Sequence, residues 1–259
     1  MKFSEMGDRN NPVIIMLTGS FCPASCLEYL YKELKEDYYI IVPTYNGHYE
    51  GGGEFTTRSN EALEIKNYCV QNNISGIKMI YGQSMGSEIG IELIKQLSVQ
   101  GIIVEKAVFD GAPCITLSKA YKTFMFFKFR TMIKLVQKKG VDGVVKMKFL
   151  NQFTNGDTEA LRKLIEELAS VVPYLSRQSI KNETECCYTF DFPAISKEQQ
   201  QNMYFFYAAE EKAYKTCYRG VKKAYPSANF RIEKGYGHIT FSVKNKDEYI
   251  RWLRKICSE

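Results

Sequence analysis

Ile77-Lys78-Met79-Ile80-Tyr81-Gly82-Gln83-Ser84-Met85-Gly86-Ser87 is the stretch on which the reading of this chain turns. An apolar run, Ile77 to Tyr81, meets the pattern G-x-S-x-G and then a helix-like segment, Ser87 to Leu97. Strand, tight turn and helix in that order place Ser84 on a sharp, strained turn with its hydroxyl above the edge of a sheet. The flanking positions must be glycine, because the turning strand and the outgoing helix pass too close for a Cβ. Met85 follows the serine and offers its backbone N–H to a developing oxyanion. A plain helix N-cap with punctuating glycines would give the same five residues. The rest of the chain weighs against that bland account.

Outward from this stretch, two kinds of sequence alternate. Pro12 to Gly19 is a continuous apolar run closed by glycine, as expected of a strand buried on both faces. Cys22 to Asp37 has apolar residues at a helical period, and Tyr38 to Pro43 reads as a second buried strand. A glycine-rich loop, Thr44 to Thr57, leads to an amphipathic helix over Ser59 to Gln71. Ile77 to Tyr81 is the third strand and Lys106 to Phe109 the fourth. Met203 to Ala208 and Asn229 to Glu233 are the last two, and Asp247 to Cys257 is a terminal helix. The alternation predicts an α/β fold, a doubly wound and mostly parallel sheet.

Residues 114–200 break the rhythm. They show helix signals at Leu117 to Lys139, Val141 to Phe149 and Thr158 to Ser170, a turn at Val172-Pro173, and no clear strand. The expectation is a core of residues 1–113 and 201–259 with a helical cap, 114–200, inserted between the fourth and fifth strands.

Composition is that of a globular protein: 259 residues, 45% hydrophobic and 25% charged. The net charge of +6 is unevenly placed. Ile115 to Leu150 carries nine Lys or Arg against one acid, Asp142. Phe124, Met125, Phe126, Phe127 and Phe129 crowd the same stretch. The plain account is a helix with an apolar face on the core and a basic face in water. The sharper account is a lid that gathers an anionic or amphiphilic substrate or touches an acidic membrane surface. No nucleic-acid reading motif surrounds the patch. The eight cysteines form no C-x-x-C pair and read as small buried residues of a reducing compartment. Met1 to Glu5 has no apolar signal core and no run approaches a membrane span, so a cytoplasmic location is expected. With two histidines far apart in sequence, no metal site is expected. Gly51 to Gly53 lack the strand and helix frame of a nucleotide cradle.

A serine nucleophile needs a base. His238, in Gly235-Tyr236-Gly237-His238-Ile239 after the last strand, hangs over the carboxyl edge of the sheet. His48 lies on the same edge, in the loop after the second strand. The base needs an orienting acid. Glu211 and Asp110 both follow strands and either could serve.

On these residues the chain resembles the α/β-hydrolases with a helical cap, over nearly its whole length. The order Ser, acid, His along the chain matches that family. The resemblance implies Ser84 as nucleophile and His238 as base. It places the acid in Ala208-Ala209-Glu210-Glu211, at Glu211, where the family usually has G-x-x-D. Asp110 is the alternative acid and Glu210 a further fallback. Thr18-Gly19-Ser20-Phe21 stands where the family often has His-Gly. This implies the N–H of Ser20, or of Phe21, as the oxyanion donor that partners Met85. Asn46-Gly47-His48 resembles the family's G-H-G turn, which implies a structural His48, although its place on the carboxyl edge also makes it, with Phe21, a candidate substrate contact. The implied activity is hydrolysis of carboxylic esters or thioesters with an apolar acyl part, without a cofactor. The alternatives are a non-catalytic ligand-binding protein, a cap-mediated peripheral membrane binder, and a haloperoxidase-like perhydrolase.

Overall fold

The apolar runs become neighbours in one sheet. The computed structural model describes residues 1–147, 156 and 158–259. Seven strands are found there: β1 (Lys2–Met6), β2 (Val13–Leu17), β3 (Tyr39–Thr44), β4 (Gly76–Gln83), β5 (Ile103–Asp110), β6 (Met203–Ala208) and β7 (Asn229–Glu233). Their order is β1-β3-β2-β4-β5-β6-β7. All pairs are parallel except β1 with β3, where Phe3 faces Pro43. The six expected strands are present, and β1 is an addition to them. Its sequence, Lys-Phe-Ser-Glu-Met, is short and half exposed, because an edge strand bonds on one side only.

Alternation within the buried strands covers both faces of the sheet. On one face Ile15 and Leu17 of β2 pack with Ala62 and Ile65 of α2 (Arg58–Gln71) and Ile89 and Leu93 of α3 (Met85–Val99). On the other, Ile14 and Met16 pack with Leu30 and Leu34 of α1 (Glu28–Leu34) and Leu253 and Ile256 of α10 (Lys246–Ser258). Helices on both faces are what a parallel sheet needs to exclude water.

Between β5 and β6 the described elements are all helical: α4 (Lys119–Val145), α5 (Thr158–Val171), α6 (Arg177–Tyr188) and α7 (Lys197–Gln200), with a single 3-10 turn at Val172–Tyr174. Gly140, at φ 62° and ψ −177°, breaks α4 where two helices are expected to meet. The last residues of the expected Val141 to Phe149 helix lie outside the described residues. The helical segment has a small core of its own, with Ile133, Val136, Leu161, Ile165, Leu168 and Ile180. Phe21, from the loop after β2, is inserted into it. Helices α8 (Lys212–Ala224) and α9 (Thr240–Lys244) complete the chain.

All eight cysteines are unpaired, and seven are buried. Among the described residues no helix is long and apolar enough to cross a membrane. No cluster of three metal-ligating side chains occurs among them either.

Candidate active site

Ser84 sits between the end of β4 and the first residue of α3, at φ 52° and ψ −120°. A non-glycine residue there is under strain, of order 1–3 kcal/mol. The turn is closed from two sides. The Ser84 N–H donates to the Asp110 carbonyl at 2.7 Å, and the Ser84 carbonyl accepts from the Ser87 N–H at 2.9 Å. Glycine is required at both flanks. A Cβ on Gly82 would lie 2.6 Å from the Gly86 carbonyl oxygen. One on Gly86 would overlap the Leu17 carbonyl oxygen.

His238 lies in the loop between β7 and α9. Its Nδ1 is hydrogen-bonded to Oε2 of Glu211. The other Glu211 oxygen accepts the Ala208 N–H at 3.1 Å, which fixes the carboxylate against the end of β6. Glu211 is buried, while a third of the His238 side chain reaches solvent. Burial opposes protonation of the imidazole. The Glu211 carboxylate outweighs it, Asp110 adds to the same effect, and the pKa of His238 is raised above the ordinary histidine value. Asp110 itself stands behind this pair. Its Oδ2 accepts from the hydroxyls of Tyr249 at 3.1 Å and Tyr81 at 3.3 Å. Burial, reinforced by Glu211, pushes its carboxyl up to about 6. Of the three acids weighed from the sequence, Glu211 is brought to the imidazole, Asp110 is one layer further in, and Glu210 is exposed.

Met85 opens α3, so its N–H has no acceptor within the helix. Ser20 lies across the turn, in the loop after β2, with its Oγ 2.9 Å from Cys187 Sγ. The Phe21 N–H is already engaged, donating to Glu183 Oε2 at 2.9 Å. That removes it as a free donor and leaves Ser20.

Ser84, His238, Ser20 and Phe21 open on one cavity of about 220 Å³. Its walls are apolar and come largely from the helical segment: Phe129, Met132, Leu161, Ile165, Leu168 and Tyr188 among them. The aromatic stretch of α4 is thus divided. Phe129 faces the cavity, Phe126 is buried, and Phe124 and Phe127 are exposed. His48 is not among the residues brought to this wall. It is buried, with Nε2 2.8 Å from Glu183 Oε1. The expectation that His48 contacts substrate gives way to a pairing inside the protein, set by the acid opposite it.

Two residues of this arrangement are not foreseen in the sequence. Gly111 packs beneath the His238 ring. Glu183 lies on α6, and its partners Phe21 and His48 are far from it in sequence.

No protein-family model matches the chain, and no curated protein matches it. Solved structures do. An α/β hydrolase family protein from Desulfitobacterium hafniense superposes with a TM-score of 0.76 at 15% identity, covering 98% of this chain and 99% of that one. This chain has the α/β-hydrolase fold. An esterase from Exiguobacterium antarcticum aligns at TM-score 0.73 and 16% identity, over 99% of this chain and 95% of the other. The enol-lactonase from Burkholderia xenovorans LB400 gives 0.73 at 13%, over 100% and 96%. Ser84, Glu211 and His238 follow the carboxyl ends of β4, β6 and β7.

Proposed function

We propose that the protein is a serine hydrolase that cleaves carboxylic esters or thioesters carrying an apolar acyl group. The observation that carries this reading is one cavity containing both a serine on a strained turn and an imidazole tied to a buried carboxylate. Neighbours of the same fold named as an esterase and an enol-lactonase agree with it.

In this reading Ser84 Oγ attacks the substrate carbonyl while His238 Nε2 takes the hydroxyl proton. Glu211 holds the ring by Nδ1 and stabilises the imidazolium. The N–H groups of Met85 and Ser20 receive the negative charge that develops on the carbonyl oxygen. The tetrahedral intermediate expels the alcohol or thiol, which takes the proton from His238, and leaves an acyl group on Ser84. A water molecule deprotonated by His238 then attacks the acyl-enzyme, and the second tetrahedral intermediate collapses to the acid as His238 returns that proton to Ser84 Oγ. Helices α4 to α6 act as a cap whose inner wall takes the acyl chain.

Treatment with a fluorophosphonate probe and mapping of the adduct by mass spectrometry tests this. Labelling is expected at Ser84 and absent in Ser84→Ala and His238→Ala. A folded wild-type protein that binds an apolar dye in the cavity yet stays unlabelled would sink the hydrolase reading in favour of a ligand-binding protein.

A further inference from the structure

The loop that presents Ser20 is held from the helical segment as well as from the core, where the Tyr45 hydroxyl donates to the Thr18 carbonyl at 3.2 Å. Thr18 Oγ1 donates to the Cys22 carbonyl at 3.0 Å and closes the loop into a tight turn. Within it Phe21 has φ 57°, a conformation that costs a non-glycine residue about 1–2 kcal/mol. Something must hold the peptide between Ser20 and Phe21 in that orientation. The partner of its N–H is Glu183 of α6, and both Phe21 and Glu183 are buried. A buried N–H without an acceptor is costly, and a carboxylate is the strongest acceptor a side chain supplies. The second oxygen of Glu183 is taken by His48, which is also buried. The acid is therefore clamped between a ring on the core and a backbone amide in the loop. Two more contacts reach the loop from the same side: Ser20 Oγ to Cys187 Sγ, and the Phe21 ring edge-on to Phe129 at 5.4 Å.

We propose that Glu183, supported by His48, is the positioning residue of the oxyanion loop. It fixes the 20–21 peptide and through it the direction of the Ser20 N–H, so that the donor is set before substrate arrives. Neither residue touches the reacting atoms. The inference rests on the proposed hydrolase reading, and it adds that the helical segment sets the site's electrostatics as well as its walls. Charge on the carbonyl oxygen is greatest in the transition state. A misdirected donor therefore costs kcat and leaves KM nearly unchanged.

The test is steady-state kinetics on a short-chain p-nitrophenyl ester, with inhibition by a trifluoromethyl ketone that mimics the tetrahedral state. Glu183→Leu is expected to lower kcat roughly 10²-fold, the scale of losing one oxyanion donor. KM should stay within about threefold, and Ki for the ketone should rise in step with the loss in kcat/KM. Glu183→Gln keeps an acceptor for Phe21 and a donor toward His48, so it should recover most of the rate. Should Glu183→Leu fail to fold, His48→Ala carries the test through the same two readouts. A folded Glu183→Leu or His48→Ala protein with wild-type kcat and ketone affinity would overturn the proposal. So would a loss that Glu183→Gln shares in full. A wild-type protein inert to both ester and fluorophosphonate would instead overturn the function on which the proposal stands.

Discussion

The imidazole of His238 rests on the backbone of Gly111, where a Cβ would overlap the ring edge and lie 2.7 Å from Nδ1 and 3.3 Å from Glu211 Oε2. Gly111 has φ 65° and its N–H donates to the Phe206 carbonyl at 2.9 Å, so it cannot move aside without breaking the end of β5. Gly111→Ala should displace the imidazole and strain the backbone together. A displacement of an ångström is enough to cost about 10²-fold in rate. We expect kcat on a short ester to fall by about that factor, with the cavity still binding an apolar dye as the wild type does. A Gly111→Ala enzyme with wild-type kcat would show that the ring does not depend on this contact.

The two carboxylates near His238 predict its pH profile. The imidazole must be neutral to take the serine proton, and its pKa is raised by Glu211 first and Asp110 second, against burial. Activity should therefore fall as pH drops through a value above the ordinary 6.5 of histidine. Asp110→Asn removes the lesser charge, and the acid limb should move to lower pH with kcat nearly kept. Glu211→Gln removes the greater charge and the orienting hydrogen bond. The limb should move further down, with a loss of 10³-fold or more in kcat. A profile moved more by Asp110→Asn than by Glu211→Gln would reverse the assignment of the acid.

Most of the sheet was legible because buried parallel strands are nearly all apolar, as in Val13–Leu17 and Tyr39–Thr44. The turn at Ser84 was legible because steric need leaves only glycine at positions 82 and 86. Helix α6 was not. Its inward face carries Ser179, Glu183, Thr184, Cys186 and Cys187, so no apolar period marks it. Ser179 and Glu183 are paired across the fold with Phe55, Phe21 and His48, at 124 to 162 residues' separation. No local pattern carries such a pairing. Strand β1 was hidden for the opposite reason, since an edge strand needs little apolar surface. The choice between Glu211 and Asp110 was likewise a matter of geometry, as one ends a strand and the other stands just past one.

Strain at Ser84 should be measurable as stability. Ser84→Ala keeps φ 52° and ψ −120° with a Cβ in place, whereas Ser84→Gly relieves it. Relief of about 1–3 kcal/mol, less about 0.5–1 kcal/mol for the freer unfolded chain, leaves a net gain. Each kcal/mol raises Tm by about 2–4 °C in a chain of this size. Ser84→Gly should melt several degrees above Ser84→Ala, and both should be inactive. Equal melting temperatures would mean that the turn stores no strain.

The wall of the cavity should decide acyl length. Ile165 and Leu168, four and seven residues along from Leu161 on α5, face the same space as Ser84. Ile165→Phe adds bulk to a cavity of about 220 Å³ without polar atoms. Against a series of p-nitrophenyl esters, kcat/KM for the longer acyl chains should fall well below that for acetate, which should change little. A uniform loss across the series would place the acyl chain elsewhere.

Glu88, on α3 and fully buried, predicts how stability varies with pH. Burial pushes its carboxyl up to about 8, although Arg58 Nη2 lies 3.9 Å away and pulls the other way. In the unfolded chain the same group titrates near 4.3. Between those two values the folded state holds a proton that the unfolded state has lost. Stability from this residue is thus complete in acid and declines as pH rises across that window. Glu88→Gln keeps the shape and removes the titration. Its Tm should exceed that of the wild type at pH 8, with the difference closing towards pH 5. Glu61, also buried and raised to about 7, titrates in the same direction and should leave some slope in the variant. A Glu88→Gln protein less stable than wild type at pH 8 would mean that the carboxylate is charged in the fold, held by Arg58 more strongly than burial opposes it.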